Sequence, residues 1–460
     1  MNTDSFNGIP VSPFSLMQCL KYADETETVV SKTGALEEIP ALIREIFEFD
    51  VVYLVSDENT FKAAGQKVKE ILIDAGIKIA GSHIFPGSQQ LKSDYKHVDC
   101  LRNHFKLYEK FPDIIPVVIG AGTLNDLVKR AAYELEIPYL CIPTAASVDG
   151  YTPNGASLLK YGFKQTFPCS APKAISADWD ILKAAPIWLS SSGFGDLAGK
   201  ITAGTDWIIA AKAGTHGALQ APSIDPLCWA MVQNGLLETL IKSAEAANGD
   251  IEAVGKLFES LAITGFAMQY MKSSRPVSGT EHLFSHIWEM EDFSATHGHK
   301  VAVGTLITTA FTEIFFADPF GPPLTSKSYK RPSIDERKEE VFSGFKNSPA
   351  RDRITETAAE KFMDEKTIKN INEAFKDSWE KIRSSVLEKL LPYEKLKELL
   401  KKGGCPVIPE EIGLTRDLVI ADTRRAQMIR NKYGILDLSW DMGNMEIILG
   451  KIEESEKYLR

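Results

Sequence analysis

The chain has 460 residues, of which 44% are hydrophobic and 25% are charged, and its formal net charge is −10 at pH 7. This length predicts two domains, and the acidic balance argues against nucleic-acid backbone binding as the main activity. The six cysteines include no CxxC pair, and no segment approaches the roughly 20 apolar residues of a membrane span. These features predict a cytoplasmic enzyme or binding protein with neither a disulfide framework nor a zinc knuckle.

The first 185 residues predict an α/β domain with a Rossmann-like parallel sheet. Three continuous apolar runs occur there: VVYLVS at 51–56, IIPVVIGAG at 114–122 and PYLCIPT at 138–144. Amphipathic segments follow the first two runs, as in βαβ units. Strands that are apolar on both sides are typical of a parallel sheet with helices on both faces.

The remainder of the chain, residues 186–460, predicts an α-helical domain. Helical apolar periods occur at 235–248, 253–271 and 378–404, and strand-like alternation is almost absent. The polar, proline-broken segment 318–340 is expected to be an exposed excursion whose charges are solvated.

A glycine-containing turn follows the second apolar run. In VVIGAGTLNDLV, Gly120, Gly122 and Thr123 stand where a buried strand turns into a helix. Glycine lets the backbone approach a ligand closely, and a helix N-terminus offers free N–H groups to a pyrophosphate. A tight turn without any ligand would also use glycine, so both interpretations stay open.

Two other strand ends carry polar residues. Thr144, Ser147 and Asp149 follow the third apolar run, at the sheet edge where open α/β sheets bind ligands, although a polar loop capping a helix is the alternative. Asp57 follows the first run. Its carboxylate could accept hydrogen bonds from an adenosine ribose and favour NAD over NADP, or it could simply cap the next helix.

The stretch SGTEHLFSHIWEMEDFSATHGHKVAVG, residues 278–304, holds four of the eight histidines. His282 and His286 are four apart and share a helix face, and His297 follows after a short polar loop. Asp196, expected in the first turn of a helix opened by SSGFG, could supply a carboxylate. Two imidazoles and one carboxylate suit a catalytic Zn²⁺- or Fe²⁺-type ion with open positions, whereas the alternative is ordinary polar residues at a helix end.

Five motifs together resemble a known family: GAGTLND, PTAASVDGYT, SGFGDLAGK, SRPVSGTEHLFSH and HGHKVAVG. In this order they resemble the sn-glycerol-1-phosphate dehydrogenases, AraM-like branch, of the iron-containing alcohol dehydrogenase and dehydroquinate synthase-like superfamily. The similarity runs from about residue 25 to the C-terminus and includes IRNKYGILDLSWDMG at 429–443. It implies a dehydroquinate synthase-like fold and NAD(P)H-dependent interconversion of dihydroxyacetone phosphate and sn-glycerol 1-phosphate, by a homodimer or higher homo-oligomer.

The resemblance also implies residue roles. Residues 1–185 would bind the dinucleotide, and residues 186–460 would bind metal and substrate. One divalent ion, zinc or alternatively nickel or iron, would be bound by Asp196, His282 and His297. The substrate would contact Asp149, Asp196 and His286, with Asp149 bonding a hydroxyl and His286 relaying a proton. The remaining implied contacts are to the cofactor: Asp57, Gly120, Gly122, Thr123, Asn125, Asp126, Thr144 and Ser147.

The chain departs from the family pattern at two positions. Pro153 stands where the family often has a serine near the nicotinamide, and Thr152 is a candidate replacement. His299 stands where Glu or Gln is common, so it could tune the metal site or compete as a ligand. For the substrate phosphate, Arg275 and Lys160 are candidate cations, with a surface salt bridge as the alternative for either.

Beside that dehydrogenase, three alternatives remain open. A polyol or glycerol dehydrogenase of the same superfamily would use the same parts on an unphosphorylated substrate. A cyclising lyase like dehydroquinate synthase typically has Glu as its first metal ligand and Gly-Gly-Lys after its Asp, whereas this chain has Asp196 and Gly150-Tyr151-Thr152. A binding protein without turnover would not be expected to retain the complete set of candidate metal ligands.

Overall fold

A computed structural model describes residues 13–108, 112–214, 221–324 and 329–460, together with the backbone of two short strands before residue 13. Within these ranges, no helix is both long and apolar enough to cross a membrane.

Six strands form a parallel sheet in the order β3-β10-β7-β6-β4-β5. The strands of the structure are β1 Ser5–Phe6, β2 Ile9–Pro10, β3 Thr28–Lys32, β4 Val51–Asp57, β5 Lys78–Phe85, β6 Ile115–Gly120, β7 Leu140–Pro143, β8 Gly155–Lys160, β9 Phe163–Pro168 and β10 Ala174–Asp178. The three apolar runs are β4, β6 and β7, as predicted. The pairs β1-β2 and β8-β9 form two further small sheets.

Helices flank the sheet strands in sequence and make up nearly all of the chain after β10. The first are α1 Leu16–Leu20, α2 Ile39–Ile46, α3 Glu58–Thr60, α4 Gln66–Asp74, α5 Tyr95–Lys106, α6 Gly122–Tyr133 and α7 Trp179–Ala184. The middle group is α8 Ile187–Ala198, α9 Lys200–Ala213, α10 Pro226–Gln233, α11 Leu236–Ser243, α12 Ile251–Met271, α13 Thr280–Met290 and α14 His297–Phe315. The last are α15 Ile334–Gly344, α16 Arg351–Glu360, α17 Glu365–Asp377, α18 Trp379–Lys389, α19 Tyr393–Lys402, α20 Arg416–Ala426, α21 Ile435–Asp441 and α22 Met445–Glu454. This architecture confirms the predicted fold class.

The chain divides into two compact units that are discontinuous in sequence. Unit 1 is 1–160, 164–197 and 230–273, and unit 2 is 161–163, 198–229 and 274–460. The sequence indicated a single break at residue 185. The difference arises because α11 and α12, although helical and late in the chain, belong to the unit that contains the sheet. The division of binding roles between 1–185 and 186–460 stays a prediction.

The core of unit 1 lies around the sheet and explains why its strands are unbroken apolar runs. Side chains on both faces of the strands are buried, including Val52, Leu54 and Val117 on one face and Val55 and Val118 on the other. Burying these side chains contributes about 1.5–3 kcal/mol each.

The segment 318–340 is only partly the exposed excursion that its composition predicts. Phe320 is exposed, but Arg331 donates from Nη1 to Asp441 Oδ1 at 3.1 Å, and Ser333 caps α15. Residues 325–328 lie outside the described residues. The end of this segment therefore packs into unit 2.

Candidate active-site residues

The strand order reverses beside β4. Its neighbours in the sheet are β5 on one side and β6 on the other; the connection from β4 runs outward to β5, whereas the connection from β6 runs in the opposite direction to β7. The carboxyl ends of β4 and β6 at this point carry Asp57 and Gly120. In open α/β sheets, such a switch point is where a ligand crevice forms.

Asp57 acts as a helix cap in the structure. Its Oδ1 accepts from the N–H of Thr60 at 2.8 Å, and the Thr60 hydroxyl accepts from the N–H of Asp57 at 3.0 Å. This reciprocal pair is a capping box that starts α3. The alternative role proposed for Asp57 from sequence is thus present, and the contact with a ribose stays a prediction.

Packing accounts for the glycines of the turn between β6 and α6. A Cβ on Gly122 would lie 2.4 Å from Cγ2 of Val148, and one on Gly120 would lie 2.4 Å from Cδ1 of Leu124. No side chain caps the start of α6, where Ala121 occupies the N-cap position. The turn therefore brings an uncapped helix N-terminus against the loop after β7, and Thr123 lies in its first turn.

Asn125 and Asp126 are engaged within unit 1. The Asn125 amide donates to the Gly150 carbonyl at 3.0 Å and accepts from the Tyr139 hydroxyl at 3.3 Å. Asp126 accepts from the N–H of Ser157 at 3.1 Å, and burial raises its pKa. These contacts assign both side chains to holding the 150–157 segment; direct cofactor contact by either stays a prediction.

The loop after β7 is fixed by its own hydroxyls. The N–H of Thr144 donates to the Gly120 carbonyl at 3.2 Å. The hydroxyls of Ser147 and Tyr151 lie 3.4 Å apart, and Tyr151 donates to the Ala145 carbonyl at 2.6 Å. Thr144 and Ser147 thus stand at the carboxyl end of β7, beside the start of α6.

Thr152 is not the replacement hydroxyl suggested for the nicotinamide side. It is fully buried, and its Oγ1 donates to the Ala262 carbonyl at 2.8 Å. Gly265, one helical turn on, allows this approach, since a Cβ there would lie 1.9 Å from Thr152 Oγ1. Thr152 attaches α12 to the loop that follows β7.

Asp196 lies in the last turn of α8, which corrects the expected first turn. The helix begins at Ile187 because its serine and glycine residues are helical. Glycine at 193 lets α8 contact the Ala146 carbonyl oxygen, which would lie 2.0 Å from a Cβ at that position. Asp196 is fully buried, and its Oδ2 accepts from the N–H of Asp149 at 2.9 Å. Two residues assigned to one site by sequence are therefore neighbours within unit 1.

His282 and His297 come together in unit 2. His282 is on α13 and His297 is the first residue of α14, and their ring centroids are 5.3 Å apart. A ring nitrogen of each lies within 4.8 Å of one on the other. Gly304 permits the close approach of these helices, because a Cβ there would lie 2.4 Å from the carbonyl oxygen of Glu281.

A carboxylate lies behind each of these imidazoles. His282 Nδ1 is 2.7 Å from Glu281 Oε1, and His297 Nδ1 is 2.6 Å from Glu289 Oε1. Because an ionised carboxylate only accepts, each ring donates its Nδ1–H to the carboxylate, which leaves Nε2 as the nitrogen that could bind a metal ion. Histidines that bind metals nearly always have such a partner. Neither glutamate was singled out from the sequence, although Glu281 directly precedes His282.

Glu281 is itself held in the charged form. It is fully buried and accepts from the N–H of Gly279 at 2.6 Å and from the Thr202 hydroxyl at 2.8 Å. Although burial acts to raise its pKa, the bonds from His282, Gly279 and Thr202 lower that pKa overall. The orientation of His282 is therefore set by a chain of contacts extending to α9.

Asp206 fixes the start of α13. This buried residue of α9 accepts from the N–H of Thr280 at 2.6 Å and from the N–H of Ile435 at 2.8 Å. It thus bridges the N-termini of α13 and α21, where a carboxylate is favoured by both helix dipoles. Burial nevertheless raises its pKa to about 6.

Similarity to known proteins agrees with this architecture. Residues 30–186 match the iron-containing alcohol dehydrogenase family. The crystal structure of glycerol dehydrogenase from Schizosaccharomyces pombe aligns with a TM-score of 0.57 and 14% identity, covering 95% of this chain and 94% of that one. At this identity the likeness shows the fold.

Sequence relatives decide the family. A glycerol-1-phosphate dehydrogenase (NAD(P)+) from Bacillus velezensis is 29% identical over 415 residues, covering 89% of this chain and 90% of the relative. A protein of the same name from Methanococcoides burtonii is 30% identical over 289 residues, 62% of this chain and 76% of the relative. This chain belongs to the glycerol-1-phosphate dehydrogenase family. The resemblance inferred from the five motifs is confirmed.

In this member of the glycerol-1-phosphate dehydrogenase family, His286 differs from the two histidines beside it. Its ring is 6.4 Å from that of His282, and its Nδ1 is 3.5 Å from Nη2 of Arg430. Burial and the Arg430 cation hold the pKa of His286 well below its usual value. A cation behind Nδ1 favours the neutral ring with its proton on Nε2.

His299 lies two residues beyond His297 on α14. Its backbone N–H donates to Oγ1 of Thr296, which caps that helix, at 3.3 Å. Burial lowers the pKa of the His299 imidazole to about 4, so the ring is neutral near pH 7. The contact between Glu289 and Nδ1 of His297 favours His297 over His299 as the ligand on this helix.

The two cations suggested for a substrate phosphate have other contacts. Arg275 is 2% exposed and donates from Nη2 to the backbone carbonyls of Asp206, at 2.8 Å, and of Tyr433. Lys160 Nζ lies 3.7 Å from the centroid of the Tyr95 ring. These contacts give Arg275 a role in joining segments of unit 2 and leave neither residue supported as the phosphate ligand.

Lys432, which no sequence pattern singled out, lies in the motif at 429–443. Its Nζ donates to Ser274 Oγ at 2.7 Å and to the Ser278 carbonyl at 3.4 Å. Burial, together with the cations Arg275 and Arg430, lowers the pKa of Lys432 to about 7. Among the described residues, no carboxylate lies within salt-bridge distance of Lys432 Nζ.

Proposed function

We propose that this chain is a metal-dependent NAD(P)H oxidoreductase that interconverts dihydroxyacetone phosphate and sn-glycerol 1-phosphate. The observation that carries the proposal is the pair His282 and His297, each supported at Nδ1 by a carboxylate. The names of its family relatives support the substrate and the cofactor. A homo-oligomeric state and a cytoplasmic location are further expectations from the resemblance and composition.

We propose Asp196, His282 and His297 as the metal ligands. The donor set fits a divalent transition ion, since it offers two imidazoles and one buried carboxylate and leaves positions open for substrate. Zinc, nickel and iron all suit these donors. An ion bound there would act as a Lewis acid toward the C2 carbonyl of the substrate.

The nicotinamide cofactor is proposed to bind at the switch point between β4 and β6. The start of α6 supplies N–H groups for its pyrophosphate, and Gly122 brings that turn close to the loop after β7. Thr144 and Ser147 extend this surface, and the carboxylate of Asp57 accepts hydrogen bonds from the hydroxyls of the adenosine ribose. The residues so assigned hold the nicotinamide ring in one position for hydride transfer at C2.

His286 is proposed to contact the substrate oxygen as a neutral Nε2–H donor. The resemblance implies that His286 relays a proton, but burial and Arg430 hold the pKa of this imidazole well below its usual value. The ring therefore holds its proton at Nε2 throughout the neutral range. Any proton it passes to the product oxygen must be replaced from solvent, with Asp149 as a second hydrogen-bonding group on the substrate.

The substrate phosphate is proposed to bind Arg430 and Lys432 in unit 2. Arg430 lies beside His286. Lys432 contacts the loop that precedes α13, and it lies close enough to Arg430 for that cation to lower the Lys432 pKa. An incoming phosphate dianion would favour the charged form of Lys432, whose pKa is lowered to about 7. A bidentate arginine and an ammonium group are the usual phosphate ligands.

The test measures NADH oxidation by metal-loaded protein with dihydroxyacetone phosphate, dihydroxyacetone, glycerol and simple aldehydes. Lys432→Met is expected to raise KM for dihydroxyacetone phosphate about 10- to 100-fold, with little change for dihydroxyacetone, because only the first loses an ion pair. The matched control is Lys242→Met, which removes an exposed lysine paired with Glu238. Wild-type preference for an unphosphorylated substrate would contradict the proposal and favour a polyol dehydrogenase.

The proposed role of Lys432 also predicts how KM for dihydroxyacetone phosphate depends on pH. A pKa lowered in the free protein means that Lys432 is charged below about pH 7 and neutral above it. Binding of the phosphate dianion takes up a proton, so KM for dihydroxyacetone phosphate should rise as pH rises from 7 to 9. Lys432→Met should flatten this rise; an equal rise in the variant would exclude Lys432 as its cause.

A further inference from the structure

A second group of histidines lies in unit 1, on β5 and α5. His97, Cys100 and His104 follow one another at intervals of three and four residues on α5, so they share one helix face. That face meets His83 of β5, whose ring centroid is 4.5 Å from that of His104. This arrangement places three imidazoles and one thiol at the edge strand of the sheet.

Three of these residues converge on a common point. One ligand atom each from His83, Cys100 and His104 lies within 4.8 Å of the other two. In a tetrahedral zinc site, with Zn–N near 2.0–2.1 Å and Zn–S near 2.3 Å, ligand atoms are about 3.3–3.6 Å apart. Rotations of these side chains within their wells can close that difference, since all three are only partly buried.

The rings of His83 and His104 are also available as ligands. Their centroids are 4.5 Å apart, and the unprotonated nitrogen of an imidazole presents a lone pair to a cation. Among the described residues, none donates a hydrogen bond to the ring nitrogens of His83 or His104.

We propose that His83, Cys100 and His104 form a second metal site, which binds a borderline divalent cation of the Zn²⁺ class. Two nitrogens and a thiolate exclude Mg²⁺ and Ca²⁺ as preferred occupants, because those ions select oxygen ligands. Binding displaces the thiol proton of Cys100 to solvent. A fourth position stays open to water, and the ion joins α5 to the edge strand β5.

His97 tests the boundaries of the ligand set. It shares the face of α5 with Cys100 and His104, but its ring packs on Phe85, with centroids 5.4 Å apart, and it is absent from the converging group. Aromatic packing of histidines at a sheet edge would produce the same ring contacts without any ion. Metal content distinguishes these two interpretations.

The experiment measures Zn²⁺ and Co²⁺ stoichiometry of the full chain after chelation and reloading. Wild-type protein is expected to bind two equivalents, and Cys100→Ser and His104→Ala one, with NADH oxidation retained. With Co²⁺, the thiolate charge-transfer absorption should be present in wild type and lost in Cys100→Ser. The matched controls are Cys169→Ser, a buried cysteine elsewhere in unit 1, and His97→Ala, both of which should keep two equivalents.

Metal binding at this site can be measured separately from the catalytic site in a variant that lacks a catalytic ligand. In His282→Ala, which removes a proposed catalytic ligand, one equivalent should remain and Zn²⁺ should raise Tm; adding Cys100→Ser should abolish both effects. Unchanged stoichiometry in Cys100→Ser and His104→Ala, or Co²⁺ loading without a thiolate band, would overturn the proposal. Loss of an equivalent in His97→Ala would overturn the assigned ligand set. Neither outcome depends on which substrate the enzyme reduces.

Discussion

Two pairs of neighbouring imidazoles differ in what lies behind each ring. His282 and His297 have ring centroids 5.3 Å apart, and each Nδ1 faces a glutamate at 2.6–2.7 Å. His83 and His104 are closer, at 4.5 Å, but no described carboxylate contacts either ring. The distance between ring centroids is therefore shorter in the pair on β5 and α5, which lacks the carboxylates.

Two neighbouring imidazoles are enough to bind an ion, but a carboxylate at each Nδ1 is needed to hold that ion in one geometry. A carboxylate at Nδ1 fixes the tautomer, orients the ring and raises the basicity of Nε2. Catalysis by a Lewis acid needs that fixed geometry, whereas an ion that only joins two elements does not. We expect tighter binding at His282 and His297 and exchangeable binding at His83 and His104.

Of the variants considered, those that remove a proposed catalytic ligand should have the largest effect on activity. His282→Ala or His297→Ala should remove that ion and bring NADH oxidation to background, because the substrate carbonyl is no longer polarised. His104→Ala should lose an equivalent without losing turnover. Metal analysis and steady-state rates on the same preparations provide the check. Full metal occupancy in His297→Ala would point to His299 as the ligand instead.

His286→Asn should have the next largest effect. With Arg430 rather than a glutamate at its Nδ1, this ring is arranged to donate from Nε2 and not to bind an ion. The variant should keep its metal and its fold while turnover falls about 10²- to 10⁴-fold. Because the pKa of His286 is already depressed, the pH profile near 6 to 7 should not change. Loss of metal would show that His286 is a ligand; wild-type turnover would exclude the proposed contact.

The smallest effect is expected when only the carboxylate behind His282 is changed, because all proposed metal ligands are then retained. Glu281→Gln keeps the shape of the side chain but removes the charge behind His282, and it should weaken metal affinity about 10- to 100-fold. Competition with a chelator measures this on folded protein, with Glu238→Gln, an exposed glutamate of α11, as the control. An unchanged affinity would mean that the carboxylate has only a packing role.

Sequence patterns predicted the parts of the fold that depend on local order. The apolar runs at β4, β6 and β7 and the helical periods after residue 185 have physical causes within each segment, so both were found. The pairing of His282 with His297 was also accessible, since one helix and one loop separate them. The assignment of α11 and α12 to the sheet unit was not, because it depends on packing between distant segments.

The residues that contact the site residues could not be predicted from the sequence. Glu289, Arg430 and Lys432 act through contacts with residues up to 158 positions away, and single charged residues in a sequence give no sign of such contacts. The motif at 429–443 was recognised as part of the family resemblance but received no role. Conversely, Arg275 was selected for standing next to SGTEH, whereas its guanidinium points to backbone carbonyls.

The bridge made by Asp206 has a consequence for the order of events during protein synthesis. Its carboxylate holds Thr280 from a position 74 residues earlier and Ile435 from one 229 residues earlier. Thr280 and Ile435 are 155 residues apart, and a ribosome that adds about 5–20 residues per second needs about 8 to 31 s to synthesise that stretch. During that interval the start of α13 lacks its neighbour α21, so the proposed metal site is expected to be completed only after translation of the last segments.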